Sequence, residues 1–249
     1  NLPDSTITNG REHFDIQLWT GDNTNPRSFS NTAFSPDFVW YKSRNNAYYH
    51  NVYDSVRGAT RTIYPNATSA EYVNDTSGTL KSFDSDGFTV GGDVEVTTVN
   101  GTGQTYVGWQ WKGSDSAAAS NSAGSITSTV SANPTAGFSV VTYTGTGSNA
   151  TVGHGLGIAP KAVIVKARNN TYTSGFPMQI NGIYGLRLSG TGANDTANGG
   201  VFFNNTAPTT SVFTVGTSDE TNENGWNYVA YAFAEVEGYS KISSYTGNG

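Results

Sequence analysis

The stretch Ala33 to Asn46, AFSPDFVWYKSRNN, returns in the second half of the chain as Ile158 to Asn170, IAPKAVIVKARNN. Pro36, Lys42, Arg44, Asn45 and Asn46 meet Pro160, Lys166, Arg168, Asn169 and Asn170, each pair 124 residues apart. Five identities at one offset, around a shared apolar run, mark an internal repeat. Other segments line up as well. FDIQLWTG from Phe14 meets FSVVTYTG from Phe138 at offset 124, Phe88 to Gly91 meets Phe213 to Gly216 at 125, and TYVGWQWK from Thr105 meets NYVAYAFA from Asn227 at 122. A chain of 249 residues divided this way gives two units, each large enough to bury a core.

The repeated segments read as strands. Phe14, Ile16 and Leu18 alternate with Asp15 and Gln17, which predicts a strand with one buried face. Phe38 to Tyr41 and Ala162 to Val165 are apolar at successive positions, which a strand tolerates when both faces are covered. Pro36 and Pro160 precede these runs, where a missing N–H does least harm to the ladder. Lys42 and Arg44 then mark where the strand should emerge into solvent, and Asn45-Asn46 reads as a turn. In TYVGWQWK the large residues Val107, Trp109 and Trp111 share one face and the smaller Gly108 and Gln110 the other, so the large face is expected to be core.

Only 13% of the residues are charged, 12% are aromatic, and Gly, Ser, Thr and Asn abound, as in β-rich modules with many tight turns and very little helix. The expected fold is therefore all-β: two tandem β-sandwich, jelly-roll-like domains related by the internal repeat of about 124 residues. Residues 1–13 read as a lead-in, 14–112 as the first sandwich and 136–237 as the second. Between them, 113–135 reads as a Ser/Ala-rich linker carrying one β-like run, Ile126 to Val130. Residues 238–249 read as the start of a further repeat or a C-terminal extension, because Gly238-Tyr239-Ser240 is similar to Gly137-Phe138-Ser139.

A net charge of -6 argues against binding nucleic-acid phosphates, and no run of like charge suggests a membrane surface. No apolar stretch of about 18 residues predicts membrane insertion. Without cysteine there is no disulfide framework and no thiolate zinc site. No cofactor is expected, and neither nucleic acid nor membrane is an expected partner.

Catalytic signals are weak. The histidines are His13, His50 and His154, and His154 sits in a glycine-rich turn where bonding to backbone is the ordinary role. No nucleophile elbow or His-x-x-x-His spacing occurs, so no catalytic residue is assigned and no enzyme is expected. Asp84 and Asp86 admit three readings: an Asx turn before a strand, a calcium loop short of further oxygen ligands, or a carboxylate pair for glycoside hydrolysis. Arg57 and Arg61 fit a structural ion pair with Asp54. Aromatic rings are the usual platform for sugars. Trp109, Trp111, Trp19 and Trp40 fall on strands and read as core, which leaves Tyr48, Tyr49, His50 and Tyr172, in the loops after the repeated strand, and Trp226, in a turn, as candidate ligand-binding residues. Local packing or a subunit contact would place them equally well.

Together, SPDFVWYKSR, YDSVRGATR, SFDSDGFTVG, TYVGWQWK, GFSVVTYTGTGSNATVGHGLGIAPKAVIVK and NYVAYAFAEVEGYSKISSYTGNG resemble a tandem repeat domain of uncharacterised function in virion proteins of tailed bacteriophages, especially tail-fibre and tail-associated proteins of marine and cyanobacterial phages. The resemblance covers nearly all of the chain from Leu2 onward. It implies a virion component, a tail-fibre segment acting as an adhesin for a host surface glycan or receptor, and it implies no catalytic residues. Other virion proteins would be partners, and a fibre would be a homo-oligomer, a trimer by analogy. A capsid fibre or decoration protein with an architectural role and a surface-glycan depolymerase are the alternatives.

Overall fold

The computed structural model describes residues 5–73, 79–92, 99–169, 176–182, 184–188, 196–243 and 245–248. The first half carries a short 3-10 turn (Gly10–Glu12) and nine strands: β1 (Phe14–Thr20), β2 (Arg27–Ser30), β3 (Phe38–Ser43), β4 (Asn51–Asp54), β5 (Arg61–Thr62), β6 (Tyr72–Val73), β7 (Leu80–Asp84), β8 (Gly87–Val90) and β9 (Thr105–Trp111). The second half carries β10 (Ala119–Asn121), β11 (Ser128–Asn133), β12 (Phe138–Thr144), β13 (Ala150–Gly153), β14 (Ala162–Ala167), β15 (Pro177–Ile180), β16 (Tyr184–Arg187), the helix α1 (Thr196–Phe203), β17 (Val212–Val215), the short helix α2 (Asp219–Asn222) and β18 (Asn227–Phe233). The chain is thus all-β with antiparallel sheets.

Sheet order follows the sequence correspondence. The first half pairs its strands β1-β9-β3-β4, and the second contains the run β12-β18-β14-β15 at the matching positions. A smaller sheet packs against each: β2-β8-β7 in the first half and β13-β17 in the second. Between the paired sheets lie two cores. One gathers Trp19, Phe29, Val39, Tyr41, Tyr53, Phe88 and Tyr106, the other Val141, Tyr143, Val163, Val165, Phe213, Tyr228 and Ala230. In each, a ring from the first strand of the run stacks on a tyrosine of the second: Trp19 on Tyr106 at 5.0 Å between centroids, Tyr143 on Tyr228 at 5.2 Å.

The large-residue face of β9 lies elsewhere than expected. Tyr106, Gly108 and Gln110 point into the first core, while Val107, Trp109 and Trp111 point away from it and are half-buried. The reason is volume. A Cβ on Gly108 would come within 3.2 Å of the Trp19 ring, so the small residue makes room for the large one across the core. Where Trp19 is replaced by the smaller Tyr143, the position of Gly108 is taken by Ala230.

The outward faces of the two large sheets meet each other instead. Phe38, Val52 and Ile63 of the first half form one buried cluster with Phe138, Val140, Ile164, Phe176, Val229 and Tyr231 of the second, with Trp40 and Trp111 packed against it. Phe38 sits at the centre, its ring 4.6 Å from Tyr231 and 5.6 Å from Phe138. This seam explains the uninterrupted apolar runs: Val39 and Tyr41 serve the inner core, Phe38 and Trp40 the seam. Each fully buried ring contributes roughly 1.5–3 kcal/mol by burial alone.

Three other expectations change. Ile16 and Leu18 are not buried, since the seam covers only part of the outward face and leaves the β1 side of the sheet bare. Residues 113–135 are not simply a connector, because β10 and β11 extend the second sheet beside β12, and Ile126 bridges to Val152. Finally, the retained lysine does not always emerge into solvent. Lys42 is half-exposed, whereas Lys166 at the matched position is completely buried beside the seam, its ammonium 5.4 Å from the centre of the Phe176 ring.

Candidate ligand-binding surface

The candidates separate once placed. Tyr48, Tyr49 and His50 are consecutive in the loop between β3 and β4, with Tyr49 exposed and Tyr48 and His50 half-buried. Tyr49 is exposed and its ring lies 5.2 Å from that of Tyr64. His50 is fixed from two sides: its backbone N–H donates to Asn66 Oδ1 at 3.0 Å, and its Nδ1 accepts from Trp40 Nε1 at 3.3 Å. An Nδ1 that accepts is unprotonated, in keeping with burial and the neighbouring Lys42 charge, both of which lower the His50 pKa. Trp40 in turn meets Trp109 edge-on at 6.4 Å. The result is an aromatic ledge, the Tyr49–Tyr64 ring pair, whose Tyr49 shares its loop with a neutral imidazole. It offers ring faces for apolar stacking and hydroxyl and imidazole groups for hydrogen bonds, the combination a sugar requires.

Trp226 does not join this surface. It is half-buried and packs against the second core, and its carbonyl accepts from Gly145 N–H at 2.8 Å. Tyr172 lies outside the described residues.

Asp84 and Asp86 sit in the hairpin between β7 and β8. The Asp84 carboxylate accepts from Ser82 Oγ at 2.6 Å and Thr89 Oγ1 at 2.7 Å, and the Asp86 carbonyl accepts from the Asn31 and Thr32 N–H groups. Gly87 closes the turn at a φ of 155°. The second half makes a turn at the corresponding place with Thr209, whose Oγ1 accepts from the Ser211 and Val212 N–H groups. No group of three or more His, Cys, Asp or Glu side chains suited to a metal ion occurs among the described residues.

The buried ionisable groups hold the molecule together. Arg57 is fully buried and donates to Asp54 Oδ2 at 2.5 Å, to Glu71 Oε2 at 2.9 Å and, across the seam, to the Tyr231 hydroxyl at 3.2 Å. Arg61 pairs with Glu71 rather than with Asp54, and Arg168 of the second half grips Glu71 with two hydrogen bonds of 2.9 and 3.0 Å. Burial alone would raise the Glu71 pKa, but Arg168 and Arg57 outweigh it and hold it at about 2. Asp37 accepts from Ser55 Oγ, from Ser131 Oγ at 2.9 Å and from Gly113 N–H at 2.8 Å, tying β3 to β11. His154 is fully buried, its Nδ1 accepting from Leu156 N–H and its Nε2 facing the Thr209 carbonyl at 3.2 Å, a neutral backbone-bonding role.

One polar signal escaped the sequence reading. The buried Asn100 accepts from Asp22 N–H and donates to the Thr24 carbonyl; the buried Asn222 accepts from Thr146 N–H and donates to the Ser148 carbonyl. These are the same contacts at offsets of 122 and 124, and the retained Asn100/Asn222 pair could have shown them.

A search of curated proteins and a search of solved structures each return no match. Residues 9–249, spanning both halves and the seam between them, match one family, described as a domain of unknown function (DUF7483), and the chain belongs to that family.

Proposed function

We propose that the protein is a structural and host-recognition component of a bacteriophage virion, a tail-fibre segment that binds a host surface glycan or receptor through the loop of Tyr48, Tyr49 and His50. The observation that carries the ligand site is the exposed Tyr49 ring beside Tyr64, next in the chain to an imidazole fixed by Trp40. A surface ring that packs into no core and is held against a second ring, in a loop anchored at the next residue by hydrogen bonds, is pre-organised for stacking. The buried carboxylates support the non-enzymatic reading, because Asp37, Asp54 and Glu71 are each engaged with groups that hold the fold. The virion assignment rests on the resemblance of the repeated motifs.

The test is binding of the folded protein to host cells and to a panel of host surface polysaccharides, with Tyr49→Ala and Tyr48→Ala alongside. Loss of one stacking aromatic is worth about 1–1.5 kcal/mol, a roughly tenfold fall in affinity. Failure of the wild type to bind any host surface would refute recognition. Undiminished binding by both variants would remove the ledge as its site.

A further inference from the structure

We infer that the bare outward face of the first large sheet is where a second copy of this chain docks, face to face. Cross-strand partners share a face, so Ile16, Trp109 and Trp40 form one row on that side of the sheet and Leu18, Val107 and Lys42 the next. Ile16 is 49% exposed and Leu18 55%, with Val107 and Trp109 only half-buried beside them. Four large apolar side chains in adjacent positions on a flat sheet make a contiguous patch rather than scattered surface residues.

The other half of the molecule indicates what covers such a face. The matched rows of the second sheet are Val140, Tyr231 and Ile164, then Thr142, Val229 and Lys166. There Val140, Val229 and Lys166 are wholly buried, Tyr231 nearly so, and the cover is the outward face of the first half's sheet, through Phe38, Val52 and Ile63. The bare patch is the continuation of that same covering face, one row beyond Phe14, Trp111 and Phe38. Its occupant is therefore a sheet face of the same kind, supplied by another copy.

The edge of the sheet argues for the face as the route. β1 is the edge strand, and an open edge invites pairing with another chain. Here three backbone groups along it are already bonded to the protein's own side chains. Ile16 N–H donates to Asp15 Oδ1 at 2.8 Å, the Leu18 carbonyl accepts from Gln17 Nε2 at 2.9 Å, and the Thr20 carbonyl accepts from Arg27 Nη1 at 2.7 Å. Arg11 holds Asp15 in turn at 2.9 Å. Sheet extension through β1 would have to displace these bonds, while the apolar face beside it stays open. A patch that meets its own equivalent closes with two copies.

Sedimentation equilibrium of the whole chain is the test, with Leu18→Lys alone and Ile16→Lys/Leu18→Lys together. The mass of two chains is expected for the wild type and that of one chain for both variants, with unchanged far-ultraviolet circular dichroism because both side chains lie outside every core. The single variant guards against misfolding of the double. A monomeric wild type, a three-chain mass, or a dimer indifferent to both substitutions would overturn the inference.

Discussion

Lys166 is the residue whose energetics are most at odds with its surroundings. Its side chain is completely buried, its ammonium has no hydrogen-bond partner among the described residues, and burial pushes its pKa down to about 8 against 10.5 for a free lysine, a fall that the Glu220 charge only partly opposes. Because the folded-state value is the lower one, the unfolded chain binds the extra proton between pH 8 and 10.5, and stability contributed at this position rises with pH across that window. Below pH 8 the cost is constant, about 3 kcal/mol by the linkage relation. Lys166→Met, which keeps an unbranched apolar stem, should be more stable than the wild type at pH 7 by up to that amount, and the advantage should shrink towards pH 10. Buried tyrosines titrate alike in both proteins and cancel in the difference. Urea unfolding at pH 7 and at several pH values up to 10 measures this, and a pH-independent difference would show that Lys166 holds its proton in the folded protein as firmly as in the unfolded chain, with no burial cost to its charge.

At the level of elements, the ends of the paired strands are held by backbone crossings that only glycine allows. A Cβ on Gly21 would lie 2.0 Å from the Gly101 carbonyl oxygen, and one on Gly145 2.3 Å from that of Glu223, the same crossing in each half. By contrast, Gly103 has a φ of 76° and nothing within 4 Å, so alanine there meets backbone strain alone. Gly103→Ala should cost about 1 kcal/mol, and Gly21→Ala and Gly145→Ala about 3 kcal/mol or more each, measured by equilibrium unfolding. A neutral Gly21→Ala would mean the strand ends give way easily. Strand positions were legible in the sequence because alternation and the repeat both report them. Which face of β9 pointed inward was not, because its large residues lie on the outward face, Trp111 against the seam and Val107 and Trp109 half-buried beyond it, while Gly108 makes room for Trp19 in the core. Asn45 and Asn169 were visibly retained, but their role depends on a long-range partner: each Oδ1 accepts the first N–H of a distant strand, Thr105 at 3.1 Å and Asn227 at 3.1 Å. β10 escaped notice for a related reason, as an exposed edge strand of Ala, Ser and Asn has no apolar period to read. Of the ligand-binding candidates, Tyr49 is exposed and its neighbours Tyr48 and His50 are half-buried, whereas Trp226 looked free only because its turn lies next to the core in space and not in sequence.

For the whole molecule, the seam decides whether the two halves behave as two folding units or one. Chains of this length commonly divide into independently folding domains. Here each half would leave a large apolar sheet face in water if the other unfolded: Phe38, Val52 and Ile63 on one side, Phe138, Val140, Val229 and Tyr231 on the other. Opening the seam would also strand Glu71, which depends on Arg168 from the second half, and would separate Arg57 from the Tyr231 hydroxyl. Partial unfolding therefore forfeits several kcal/mol from a side that remains folded. A single calorimetric transition is expected, with equal calorimetric and van't Hoff enthalpies and with the amides of β9 and β18 exchanging through openings of equal free energy. Arg57→Ala leaves Asp54 and Glu71 buried with fewer partners and should lower the stability reported by both strands together, by about 3–5 kcal/mol. Two resolved transitions in the wild type, or a loss confined to β9 in the variant, would show instead that the halves fold separately and that the seam is only a contact between them.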